Sequence, residues 1–191
     1  MKEFSSQAKQ ELQKILDDFP NRQSALLMVL RLAEKDFGCI DDGAMELDAR
    51  ECEVSVSHVL GMVTFYTHFK RPAHGRHRIM VCSTLMCSLA GSEAIIERIS
   101  KRLNIEPGMI TKDGLFSLEK VECLADCDKP TAIQVDAKHY HAISPENADN
   151  LIDELLKREG KTDADYREPG VKMDLRVPFI PVKQAIQAPR D

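Results

Sequence analysis

Over residues 1 to 70, apolar positions recur with the period of helices. Leu12, Ile15, Leu16 and Phe19 fall three and four apart, and Pro20 stops that run. Ser24 to Phe37 is apolar on most faces, which predicts a central helix closed by Gly38 in the left-handed conformation glycine enters freely. Ala44, Met45, Leu47 and Ala49 predict a shorter helix. SHVLGMVTFYTHF predicts another, capped by Ser55 or Ser57. The segment RPAHG (71–75), with both Pro and Gly, reads as a connector and closes an N-terminal helical bundle over residues 1–75.

From His77 the period changes. HRIMVC reads as a buried strand, SEAIIERISKRLNI as an amphipathic helix and LFSLEKVEC as an alternating strand. TAIQVD and KHYHAI form a predicted hairpin turned near Asp136 and Ala137. Pro145 starts a last helix with Leu151, Ile152, Leu155 and Leu156 facing inward. This β-α-β-β-α order predicts a small α/β domain of thioredoxin type over residues 76–160, so the fold class is α+β. Residues 161–191 hold four of the nine prolines, Pro169, Pro178, Pro181 and Pro189, and show no helical period. They are expected to be extended, as a free end or as an arm lying on a partner through VPFIPVKQAI.

Composition narrows the function. A chain of 191 residues that is 43% hydrophobic and 30% charged is ordinary for a globular protein. A net charge of −5, no basic block and no Trp argue against a nucleic-acid partner. The opening MKEFSSQAKQEL lacks an apolar leader, and no segment approaches the roughly 18 continuous apolar residues of a membrane span. The expectation is a cytoplasmic chain with no direct membrane insertion.

In such a compartment six cysteines do not read as a disulfide framework. Cys39 and Cys52 stand alone and are expected to be small core residues. The other four come in pairs, C-x4-C at Cys82 and Cys87 and C-x3-C at Cys123 and Cys127, each beginning where a predicted strand runs into a loop. Two such strand ends side by side would gather four sulfurs at one sheet edge. Three chemistries compete for them. Tetrahedral zinc favours short C-x2-C knuckles, and a thioredoxin-type disulfide centre uses C-x-x-C. A [2Fe–2S] cluster is longer, with two thiolates on each iron, and suits two separate pairs with wider loops. Ser83, Thr84, Ser88, Gly91 and nearby backbone N–H groups are candidate donors to sulfur. Asp126 and Asp128 flank Cys127 and would disfavour an added electron, with Lys120 and Lys129 partly offsetting. His139 and His141 alternate, and read as a surface strand. His58, His68, His74 and His77 follow no ligand spacing. There is no dinucleotide fingerprint, P-loop or nucleophile elbow, so any substrate oxidation is expected on another chain.

At these residues the sequence resembles a known family. SALLMVLRLAEKDFGCIDDGAMELDA, VTFYTHF, VCSTLMCSLAGS and DGLFSLEKVECLADC together resemble the thioredoxin-like [2Fe–2S] subunit (the E-type or 24 kDa-type family) of the NADH dehydrogenase module of respiratory complex I. The likeness runs over roughly residues 10 to 158. Ala125 stands where the family usually has Gly, and Pro130–Thr131 where it usually has Gly-Pro or Ala-Pro. The resemblance implies one [2Fe–2S] cluster on Cys82, Cys87, Cys123 and Cys127, with no catalytic residue on this chain. It also implies a partner flavoprotein that binds FMN and NADH, further iron–sulfur subunits of a peripheral arm, and a place beside the inner membrane through that complex. The alternatives are the equivalent subunit of an NAD-linked hydrogenase or formate dehydrogenase, a zinc-stabilised interaction module, and a thiol–disulfide oxidoreductase.

Overall fold

The computed structural model describes residues 2–175 and resolves two compact units, one running to Pro72 and one from Ala73 to Asp174. All of VPFIPVKQAI (177–186), with the expectation attached to it, lies outside the described residues.

The first unit contains four helices, α1 (Ser6–Asp18), α2 (Leu26–Phe37), α3 (Asp42–Glu51) and α4 (Val56–Phe65). Their starts are set by side chains that accept otherwise orphaned N–H groups. Ser5 accepts from Ala8, Asp41 from Ala44 and Ser55 from His58, so Ser55 is the cap of α4. Asn21 caps a 3-10 turn, Arg22–Ala25, which takes the first residues expected of the central helix. Gly38 closes α2 at φ 82°. The apolar stripes meet in one core around Leu12, Val29, Leu30, Met45 and Val59, each such side chain worth roughly 1.5–3 kcal/mol on burial.

In the second unit β1 (His77–Cys82) runs into a short helix α5 (Leu85–Leu89) and then α6 (Ser92–Leu103). There follow β2 (Met109–Ile110), β3 (Phe116–Val121), β4 (Ile133–Val135), β5 (Lys138–Tyr140), α7 (Pro145–Arg158) and β6 (Val171–Lys172). They form one sheet in the order β5-β4-β1-β3-β2-β6, in which only β1 and β3 are parallel. Alternation decides the core: Ile79, Val81, Phe116, Leu118, Ile133 and Val135 join the inward residues of α6 and α7. Gly75 lets the chain pass against β3, since a Cβ there would lie 2.5 Å from Ser117 N and 2.6 Å from Phe116 C.

Three elements have no period in the sequence because they are too short: α5, β2 and β6. Residues 161–175 accordingly hold more than an extended stretch. A 3-10 turn, Asp163–Tyr166, sets Tyr166 edge-on to Phe116 in the core, and β6 pairs with β2. A truncation after Gly160 would remove both.

Candidate metal centre

The parallel pairing of β1 with β3 builds the site. Cys82 is the last residue of β1, in register with Val121, the last residue of β3, and Cys123 follows two positions later. Ser83 continues the pairing by donating its N–H to Val121 O at 3.0 Å. On the other side, Cys82 N–H donates to Ala132 O at 3.1 Å. Adjacent strand ends therefore deliver the first cysteine of each pair to one edge of the sheet.

Cys87 is not in a loop, as its spacing had implied, but within α5. Cys82 and Cys87 are both buried, and form a small cluster with Ala132 and half-buried Leu124. Burial pushes the Cys82 thiol up, but the Thr84 hydroxyl at 3.3 Å and the N–H groups of Leu124 and Thr84 outweigh it and hold the thiol below its ordinary range. Burial likewise raises Cys87, although the Ala132 N–H donates to its sulfur and opposes the rise. Cys82 and Cys87 also perturb each other, as neighbouring thiols do, lowering the first and raising the second. Of the side chains expected to donate to sulfur, Thr84 does so, whereas the Ser83 hydroxyl donates to Val121 O instead.

Cys123 and Cys127 are exposed, with their sulfurs 3.8 Å apart. Their proximity raises the Cys127 thiol, and thiolate at Cys82 adds to the effect. Ala125 donates its N–H to Cys123 Sγ at 3.3 Å and takes φ 63°, the left-handed region. Glycine enters that region without the cost an alanine bears, which explains the family's usual residue there. Beside this loop, His139 Nδ1 lies 2.6 Å and His141 Nδ1 3.5 Å from Asp126 Oδ2. The His139 hydrogen bond holds the Asp126 carboxyl below its usual range. The alternation of the two histidines was visible in the sequence. Their target was not, because the β4–β5 pairing that sets Gln134 opposite His139 aims them.

The donor set fits a metal–thiolate centre of two ions. Burial raises Cys87, with its neighbouring thiols adding to it, and Cys123 raises Cys127; cations relieve such crowding of thiolate charge. The 3.8 Å separation of Cys123 and Cys127 is about the edge of a tetrahedron whose metal–sulfur bonds are roughly 2.3 Å.

Cys39 and Cys52 belong to the helical unit. Cys52 is a core residue, its thiol pushed up to about 12 by burial and then by Asp48. Cys39 is only half-buried, so the expectation of a core position holds for one of the two.

A small sheet with two thiol pairs at neighbouring strand ends defines a thioredoxin-like metal–thiolate domain. The family model of the thioredoxin-like [2Fe–2S] ferredoxins matches residues 12–156, and the chain belongs to that family. Its cofactor is a [2Fe–2S] cluster. The match takes in the helical unit as well as the sheet. The E subunit of the NADH-quinone oxidoreductase of Escherichia coli strain K12 is 31% identical over 156 residues, covering 82% of this chain and 92% of that protein. Subunit 2 of the Thermus thermophilus NADH-quinone oxidoreductase is 36% identical over 119 residues, covering 62% of this chain and 66% of that protein, just under two thirds. Among solved structures, an NAD+-reducing [NiFe]-hydrogenase superposes with a TM-score of 0.61 at 18% identity, over 68% of this chain and 22% of the hydrogenase chain; this likeness is one of fold.

Proposed function

We propose that this chain is an electron-transfer subunit of an NADH-quinone oxidoreductase. Cys82, Cys87, Cys123 and Cys127 ligate its cluster, one pair per iron, and electrons pass singly between that cluster and the FMN of a partner subunit that oxidises NADH. The observation that carries the reading is the placement of Cys82 and Cys123 at the neighbouring ends of the paired strands β1 and β3, with Cys127 3.8 Å from Cys123. When bound, the cluster would supply one-electron chemistry beside a flavin that takes two electrons as hydride.

This chain's own residues insulate one side of that store and open the other. Burial of Cys82 and Cys87 keeps water from two of the sulfurs, and N–H groups aimed at sulfur stabilise added negative charge. Cys123 and Cys127 stand exposed, and Leu85, Met86 and Leu89 of α5 are exposed beside Cys87, Leu89 to 77%. Apolar side chains left in water around a redox centre suit a docked protein partner, which would also shorten the electron's path. Among the described residues no helix is long and apolar enough to cross a membrane. On the likeness to NADH-quinone oxidoreductase E subunits, the reading places the chain in the peripheral arm of such a complex, on the cytoplasmic side, alongside other iron–sulfur subunits.

The test is to titrate the chain, loaded with its cluster, with NADH in the presence and absence of the flavoprotein subunit. The cluster is reduced by NADH only with the flavoprotein present. A cluster that dithionite reduces, but that NADH with flavoprotein does not, would overturn the reading. Reduction supported instead by the flavoprotein of an NAD-linked hydrogenase, and not by that of the quinone reductase, would move the chain to that complex.

A further inference from the structure

The second cysteine pair needs a support that its own loop does not supply. Between Val121, which ends β3, and Ile133, which begins β4, no residue is in a strand or helix. On its inner side the loop is tied through the Leu124 N–H to Cys82 Sγ. Lys129 N–H donates to Asp126 O at 3.2 Å, and Ala142 N–H to Lys129 O at 2.9 Å. The described side-chain tie from the segment between the two cysteines to the sheet is Asp126, against His139 at 2.6 Å and His141 at 3.5 Å. A carboxylate only accepts, so His139 Nδ1 carries the hydrogen of that bond. His139 stands in β5, fixed opposite Gln134 of β4, which pairs in turn with β1. A chain of contacts therefore runs from Cys127, through its neighbour Asp126 and His139, to the strand that carries Cys82.

We propose that His139 is a positioning residue for the second ligand pair: its hydrogen bond to Asp126 fixes the loop that spaces Cys123 and Cys127, and offsets the Asp126 charge beside the cluster. The proposal rests on the ligand assignment above. His141, farther away, is the lesser contact. The two parts of the role carry different signatures. Loosening the loop exposes iron to chelators, and baring Asp126 makes a further negative charge on the cluster harder to place.

The experiment uses the full chain with its cluster and compares His139→Ala, His139→Asn, Asp126→Ala and the double Ala variant. It reads iron release to a chelator, the reduction potential and the EPR spectrum of the reduced protein. His139→Ala should release iron roughly tenfold faster, the scale of one charge-assisted hydrogen bond, and move the potential to more negative values. His139→Asn keeps an N–H near the Nδ1 position and should restore both. Asp126→Ala should also speed release but move the potential the other way, and the double variant should release no faster than either single one. Wild-type release and potential in His139→Ala would overturn the proposal. So would fast release that His139→Asn leaves uncorrected, which would mark packing instead of the hydrogen bond. A Cys123→Ala control, which leaves no ligand atom at that position, separates the two readings: if it keeps the full cluster, the ligand assignment fails. If it loses the cluster while His139→Ala behaves as wild type, only the role of His139 fails.

Discussion

Cys82 and Cys87 are each 2% exposed, packed among a strand end, a short helix and Ala132, whereas Cys123 and Cys127 stand in solvent on a loop without regular structure. The first pair takes its geometry from the core and receives hydrogen bonds from Thr84, Leu124 and Ala132. The second receives the Ala125 N–H and is held from outside by Asp126 and its histidines. One thiol pair is thus part of the core, and the other stands at its surface. A redox centre profits from both: burial excludes water, and exposure admits a partner.

The largest effects should fall on the thiols themselves. Replacing any of the four by Ala should abolish bound iron, measured on anaerobically purified protein. The metal-free chains should then separate by pair. Cys82→Ala or Cys87→Ala should lower stability to urea by about 1 kcal/mol, from the lost packing. Cys123→Ala or Cys127→Ala should change it by less than about 0.5 kcal/mol. Equal losses for both pairs would break the contrast.

Next in size is Gly75→Ala. The new Cβ would meet the backbone of Phe116 and Ser117, which cannot rotate away. A loss of roughly 3 kcal/mol is expected. Both pairs should suffer together, because displacing β3 from β1 disturbs the edge they share. Iron content and the urea midpoint of this variant report on the two consequences separately.

Asp48 extends the contrast between burial with partners and burial without. It is fully buried in α3, and among the described residues neither carboxylate oxygen has a hydrogen-bond partner. Burial, with Glu51 adding to it, pushes its pKa up to about 8 from 3.8. The folded chain therefore keeps this proton up to about pH 8, while the unfolded chain gives it up above 3.8. The group's contribution is fully present below 3.8 and is lost as pH rises toward 8. Asp48→Asn should thus gain on the order of 2 kcal/mol over wild type near pH 7.5 and nearly nothing near pH 4, by urea unfolding at each pH. A pH-independent difference would show that Asp48 has a partner.

The smallest effect belongs to Ala125→Gly, which relieves the positive φ in the second loop by up to about 1 kcal/mol. It should slow cluster loss without changing the first pair.

The same contrast explains what the sequence made legible. Elements long enough to repeat their period were readable: α6 through Ile95, Ile99 and Leu103, although Ala94, read onto that side, is exposed and Ile96 is buried instead, α7 through Leu151, Ile152 and Leu155, and β1 as an apolar run. The pairing of the cysteines was readable too, because two strands ran into them. Hidden from view was whatever depends on a distant partner. β6 exists because β2 offers an edge, α5 is too short to show a stripe, and Asp126 meets His139 only through hairpin register. Cys39 and Cys52 looked equivalent as lone cysteines, yet only Cys52 faces the core, a difference set by the ends of α2 and α3.

The most direct measurement is iron and acid-labile sulfide on anaerobically purified chain, with EPR before and after dithionite. The account predicts about two irons and two sulfides per chain, silence when oxidised and a rhombic signal on reduction. About one zinc per chain, with no sulfide and no signal even after reconstitution with iron and sulfide, would contradict it.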